Sequence, residues 1–171
     1  MNEYAEDNYP LAYLITIRSY GTWLHGDEKG SVDRHGFNSY GTPRLPPSKM
    51  LKDFMKAEMK QEPILFDKDK RICALDAVRE VCDYRGYELL AVNIRSNHLH
   101  AVVCASTNPE KVTNEFKAYA TRRLREEGLI EKDKTVWVRG KSRRYLWKAH
   151  HVEIAVDYVL FGQGDAIPDF S

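Results

Sequence analysis

Cysteine is scarce in this chain of 171 residues: Cys73, Cys82 and Cys104 are its only three. An odd number, without C-x-x-C spacing and among apolar neighbours, excludes a disulfide framework and a zinc knuckle and predicts reduced core thiols. Also lacking is any apolar run near the roughly 20 residues that span a bilayer. The opening stretch, Met1 to Pro10, is acidic and polar without a hydrophobic signal core, so a cytoplasmic protein with no membrane partner is expected. Nor does one sign of charge dominate, since 26 Lys and Arg face 25 Asp and Glu for a net charge of +1. Internal repeats and low-complexity tracts are absent as well.

What the chain does have is enough apolar sequence, 43% hydrophobic, to bury one full core. The expectation is one domain over residues 1–171, with a core at about 11–164, a long ordered loop at about 24–49 and a short tail at 165–171. The even charge balance hides a local excess. Between Lys111 and Lys148 stand 12 Lys and Arg against 5 Asp and Glu. A basic face of this kind is what phosphate binding requires, although a solvated helix and a charged hairpin would give the same count.

Leu11 to Ile17 alternates with β-branched residues enriched and predicts the first strand. The loop that follows is rich in Gly and Pro, and its Trp23, Phe37 and Tyr40 favour an ordered, packed loop over a linker. A short amphipathic segment near Leu51, Phe54 and Met55 precedes a helix from about Asp69 to Tyr84, with Ile72, Leu75, Val78 and Cys82 as its apolar stripe. Leu89–Ile94 and His98–Cys104 read as a hairpin joined by Arg95-Ser96-Asn97. Pro109 opens a helix to Gly128 that carries Val112, Phe116, Tyr119 and Ala120 inward. Thr135–Val138 and Arg144–Trp147 are expected to flank a basic turn, Arg139-Gly140-Lys141-Ser142-Arg143, before a last helix at about His150 to Phe161. This order predicts an α+β fold, a ferredoxin-like antiparallel sheet with helices on one face.

Within the hairpin, His98-Leu99-His100 places two imidazoles at i and i+2, on one face of a strand, where both can grip one metal ion. Two histidines hydrogen-bonded on a sheet face are the alternative. Asn97 precedes them with an amide able to orient a ligand or a phosphate. On the last helix Val152, Ala155, Val156 and Val159 form the apolar stripe, and Tyr158 falls about 130° from its centre, at the flank of the core. His25, His35, His150 and His151 are explained by exposure or helix capping. Lys117, Arg122, Arg139, Lys141, Arg143 and Arg144 are the candidate phosphate contacts. Tyr145 and Trp147 could stack on an unpaired base, but their strand-like run favours packing in the core.

Asn97-His98-Leu99-His100, Asn114-Glu115-Phe116-Lys117-Ala118-Tyr119, Arg144-Tyr145-Leu146-Trp147 and Tyr158-Val159-Leu160-Phe161-Gly162-Gln163-Gly164, in this order, resemble the single-tyrosine HUH transposases. The similarity is greatest to the REP-associated tyrosine transposases and runs from Leu11 to Gly164. It implies the HUH endonuclease fold and a cut-and-rejoin reaction on single-stranded or hairpin DNA. Tyr158 would be the nucleophile and would form a 5′-phosphotyrosine link. His98 and His100 would hold a divalent ion, Mg²⁺ or Mn²⁺, and no nucleotide cofactor would be needed. Family members commonly carry a polar side chain four residues after the tyrosine to complete the metal site. Here that position is Gly162, and Gln163 can serve only if Gly162 and Gly164 turn it back through left-handed geometry. Related transposases exist as dimers and as monomers, so a homodimer stays open. Two rivals remain: a catalytically silent, domesticated DNA-binding protein of the same fold, and a zinc hydrolase that uses a water nucleophile.

Overall fold

The computed structural model describes residues 9–22, 31–32, 44–45 and 49–162. In chain order the elements are β1 (Ala12–Ser19), β2 (Ser31–Val32), β3 (Arg44–Leu45), α1 (Lys49–Ala57), α2 (Lys68–Arg85), β4 (Glu88–Ile94), β5 (His98–Cys104), α3 (Pro109–Glu126), β6 (Trp137–Leu146) and α4 (Ala149–Phe161). Four strands form an antiparallel sheet in the order β4-β5-β1-β6, and β2 and β3 make a separate two-stranded ladder. The α+β, ferredoxin-like arrangement is the one expected. Most of the loop expected at 24–49, with Trp23, Phe37 and Tyr40, lies outside the described residues, as do Gln163 and the tail 165–171.

Strand alternation divides the core into two layers. Tyr13, Ile15 and Ile17 of β1 and Leu99, Ala101 and Val103 of β5 face α2 and α3 in the larger cluster. Ala12, Leu14, Ala91, Val102 and Leu146 meet Ala155, Tyr158 and Val159 of α4 in a smaller one. Helices α2 and α3 thus share one face as expected, while α4 covers the other. The reason lies in the sheet, which is apolar on both faces and must be covered on both.

Local chemistry sets the helix ends. The Asp67 carboxylate caps α2 by accepting from Lys70 N at 2.9 Å, and Gly86 closes it in the left-handed region at φ 72°, where glycine meets no Cβ penalty. Asn108 caps α3 ahead of Pro109. On α2 the buried residues are Cys73, Ala74, Ala77, Val78, Val81 and Cys82, whereas Ile72 is half exposed. The stripe is rotated from the expected one because Ala74 and Ala77, the small residues, are the ones that enter the core between α2 and its neighbours. Burial pushes the Cys73 thiol up to about 11 and the Cys82 thiol up to about 12, as expected of unreactive core thiols.

The expected hairpin around residues 139–143 is overturned. β6 is one strand paired with β1 from Leu146 to Trp137, and its register shifts between Ile17↔Lys141 and Ser19↔Trp137. Residues 138–140 therefore stand opposite the single Arg18, a bulge that Gly140 accommodates. A second bulge lies in β4, where Leu89 pairs with Val103 but Ala91 pairs with Val102. The extra residue changes the facing of everything after it. Asn93 consequently lies opposite His100; without the bulge it would share the other face.

Leu99, with no exposed surface, anchors β5 from the side opposite the two histidines. Leu99→Ala should cost about 2–5 kcal/mol through the cavity it leaves, read as a lower urea midpoint.

Candidate active site

Because β5 alternates, His98 and His100 both face the α4 side, with ring centroids 4.5 Å apart and planes at 71°. The backbone that delivers them is held tightly. The Asn97 carbonyl accepts from Ser19 N at 3.0 Å, from Ser19 Oγ at 3.2 Å and from Thr22 Oγ1 at 3.3 Å. The Asn97 side chain turns to His98, with Oδ1 2.6 Å from Nδ1. An amide oxygen only accepts, so Nδ1 of His98 carries the proton and the ring's lone pair sits on Nε2. Thr16 Oγ1 lies 2.8 Å from Nδ1 of the buried His100, directly across the β1–β5 register. When Nδ1–H donates to that hydroxyl, His100 also presents its lone pair on Nε2.

Helix α4 brings Tyr158 to this pair. The Tyr158 and His100 rings lie 5.3 Å apart between centroids at 65°, and the tyrosine is only 8% exposed. The buried face of α4 is His151, Ala155, Tyr158 and Val159, with Val152 and Val156 only partly buried. The helix is therefore turned from the expected stripe, with Tyr158 inside the interface and not at its flank, and His151 is a buried residue and not an exposed cap. What lies opposite explains the turn. The sheet surface under α4 carries His98, His100, Thr16 and Asn93, and Asn93 Nδ2 donates to the Val159 carbonyl at 3.1 Å, tying the helix to the polar end of the sheet. Gly162 caps the helix just past Phe161, donating to the Tyr158 carbonyl at 3.0 Å, with φ −91°. The expected left-handed turn is thus absent at Gly162, and Gln163 lies outside the described residues. A Cβ at Gly162 would come within 3.1 Å of the Tyr158 ring.

Burial pushes the His100 pKa down to about 3, and the electrostatic influence of His98 and of the Arg18 and Arg95 cations acts in the same direction. A neutral imidazole is the form that binds a cation. Arg18 and Arg95 make the surroundings of the pair complementary to phosphate. Thr16, Arg18 and Asn93 escaped the sequence reading because only the strand registers place them beside the histidines. Alternation along β1 could have linked Thr16 with Arg18, but not with His98 and His100.

The six candidate phosphate contacts are not brought together. Arg144 pairs with Leu14 in the sheet and so belongs to the α4 face. Arg143 is on the other face, where it bonds Glu110 of α3 at 2.9 Å. Lys117 donates to the Val138 carbonyl at 2.8 Å, and Arg122 lies over the Tyr119 ring and near Glu80. Arg139 is exposed, and Lys141 sits opposite Ile17 in the register. Lys117, Arg122 and Arg125 line a groove of about 810 Å³ along α3, across the sheet from Tyr158. Among the described residues no three His, Cys, Asp or Glu side chains converge on one metal position, and no helix is long and apolar enough to cross a membrane.

Residues 53–159 match the family described as Transposase IS200 like. The chain belongs to this family. Its fold is shared by a REP-associated tyrosine transposase solved bound to a REP hairpin, at TM-score 0.50 and 13% identity, over 95% of this chain and 72% of that one. A putative transposase from Deinococcus radiodurans R1 aligns at TM-score 0.46 and 12% identity, over 97% of this chain and all of that one. No curated protein matches the chain at a significant level.

The low His100 pKa has a consequence for stability. An unfolded histidine, with pKa about 6.5, takes up a proton that the folded His100 refuses down to about pH 3. Stability of the metal-free protein therefore rises with pH through that window and is lost as pH falls. His100→Gln should flatten the slope of urea stability against pH by up to about 1.4 kcal/mol per pH unit; parallel profiles for the two proteins would refute this.

Proposed function

We propose that this transposase-family chain is a single-tyrosine DNA strand transferase of the REP-associated type, which cuts and rejoins single-stranded DNA at hairpins. The observation that carries the reading is the 5.3 Å approach of the Tyr158 ring to His100, beside His98, within one chain. With Tyr158 and both histidines drawn from one chain, no homodimer is needed to supply the tyrosine. The hairpin bound by the REP-associated relative supports hairpin DNA as the partner, and such a protein would act in the cytoplasm, on nucleoid DNA.

His98 and His100 would hold a divalent ion through Nε2, and Gln163 is the candidate third ligand. Two neutral imidazoles suit Mn²⁺, and either Mn²⁺ or Mg²⁺ would complete its shell with phosphate and water oxygens. When bound, the ion supplies Lewis-acid polarisation of the scissile phosphate. Tyr158 Oη attacks phosphorus in line; its O–P bond forms, the bond to the 3′ oxygen breaks, and that oxygen leaves as a 3′-hydroxyl. The phosphodiester energy is kept in the 5′-phosphotyrosine link, so no nucleotide cofactor is needed and a 3′-hydroxyl can reverse the step. Arg18 and Arg95 add positive potential where charge gathers. Asn97 holds His98 in the ligating tautomer, and Thr16 does the same for His100 when its hydroxyl accepts from Nδ1–H.

Incubated with hairpin-bearing single-stranded DNA and Mn²⁺, the protein should give a covalent adduct that survives denaturing gels. Chelation or Tyr158→Phe should abolish it. Tight binding without an adduct would instead identify the silent DNA-binding rival, and cleavage that survives Tyr158→Phe would identify a water nucleophile.

Thr16→Val keeps the shape but removes the partner of His100 Nδ1. Without DNA present, its Mn²⁺ affinity by electron paramagnetic resonance should fall about 10- to 100-fold, with unchanged circular dichroism. Unaltered affinity would show that Thr16 does not position His100.

A further inference from the structure

Tyr145 and Trp147 are large aromatics that the core does not absorb, being 47% and 51% exposed. Their strand-like run had favoured core packing for both, and the structure overturns that. The two rings are nearly parallel, 11° apart in plane with centroids at 6.3 Å. Tyr145 is held from behind, because the buried Tyr13 ring meets it edge-on at 5.4 Å and 80°. Tyr13 is itself fixed by its hydroxyl, which donates to the Thr107 carbonyl at 2.9 Å. The result is a graded stack: a buried ring, a half-exposed ring supported by it, and a second half-exposed ring lying parallel to that one.

The stack stands at the open edge of the sheet, since β6 is the terminal strand in the order β4-β5-β1-β6. The segment of chain that carries it is basic, with Arg143 bonded to Glu110 of α3 and Arg144 on the α4 face of the sheet. From Trp137 to Lys148 there are five cations, Arg139, Lys141, Arg143, Arg144 and Lys148, and no Asp or Glu. Two parallel, accessible rings with cations on either side in sequence offer a π-face together with attraction for a polyanion, the combination that binds single-stranded nucleic acid without reading its sequence.

We infer that Tyr145 and Trp147 form a stacking platform for an unpaired base in the single-stranded DNA that flanks a hairpin. This rests on the strand-transferase reading and adds to it a subsite distinct from the tyrosine and the histidines. Tyr145 lies opposite Tyr13 in the sheet, and Tyr13 faces α2 and α3. The platform is thus on the far side of the sheet from Tyr158. It would hold the strand at a distance from the cut and would take no part in the chemistry. A base laid on the outward face of Trp147 extends a stack that the protein has already ordered, so little side-chain freedom is lost on binding.

The test compares wild type, Trp147→Ala and Trp147→Phe by fluorescence anisotropy in chelator, on a hairpin with single-stranded extensions and on the same hairpin made blunt. Trp147→Ala should bind the extended hairpin roughly ten-fold more weakly and the blunt one as wild type does, with Trp147→Phe close to wild type. An abasic site at one position of the extension should weaken wild type but not Trp147→Ala. Equal loss on both hairpins, or no loss on either, overturns the platform. Failure of wild type to bind either DNA would strike the transferase reading itself, and the wild-type measurement alone distinguishes that outcome.

Discussion

The pairing of β5 with β1 on one side and β4 on the other is the constraint on which both core and site depend. One strand serves two purposes by alternation: Leu99, Ala101 and Val103 enter the larger core, while His98 and His100 face α4. Register then supplies the neighbours. Thr16 stands across from His100 on β1, and the β4 bulge places Asn93 across from it on the other side. A one-residue slip in either pairing would exchange polar for apolar partners. The packing of Leu99 and its neighbours is therefore also what fixes the imidazoles.

Burying polar groups under α4 is costly unless each finds a partner, and the site shows how this is met. Thr16 answers His100, Asn97 answers His98, and Asn93 spans to the backbone of α4. The same burial that lowers the His100 pKa keeps the ring neutral, while Arg18 and Arg95 maintain a positive field around it. A neutral pair of nitrogen donors inside a positive surround is suited to take up a cation together with an anionic ligand, and less suited to either alone.

Local signals made much of this legible in the sequence. The hairpin, the start of α3 at Pro109, and the His-x-His face all follow from alternation, turn residues and helical spacing. The errors were non-local. Gly140 and its basic neighbours read as a turn, yet they lie in a strand whose bulge is fixed by pairing with β1. The stripes of α2 and α4 were drawn from helical spacing, but their buried faces were decided by what each helix meets: close packing at Ala74 and Ala77, and polar sheet residues beneath Tyr158. Thr16, Arg18 and Asn93 could not be assigned to the site, because strand order and bulges bring them there. For Gln163, the departure at Gly162 was visible in sequence, but a cap at Gly162 with negative φ was not.

The two faces of the sheet also bear on how the cations can act together. Arg144 faces the α4 side with Tyr158, whereas Arg143 and Tyr145 face the α3 side with Lys117 and the α3 groove. Phosphate contacts on both faces cannot belong to one straight path over a single surface. β6 is, with β4, an edge of the sheet at which the two surfaces meet, and its successive residues, Arg143 and Arg144 among them, point to opposite sides. Under the proposed reaction, a DNA chain that reaches both Tyr158 and the α3 groove must turn around an edge of the sheet, and β6 is the edge that carries Arg143 and Arg144. A duplex is too stiff to bend so sharply over a few ångströms, since its persistence length is about 150 base pairs. The turn must fall in unpaired DNA, which is where a platform of exposed rings at the end of β6 has a base to hold.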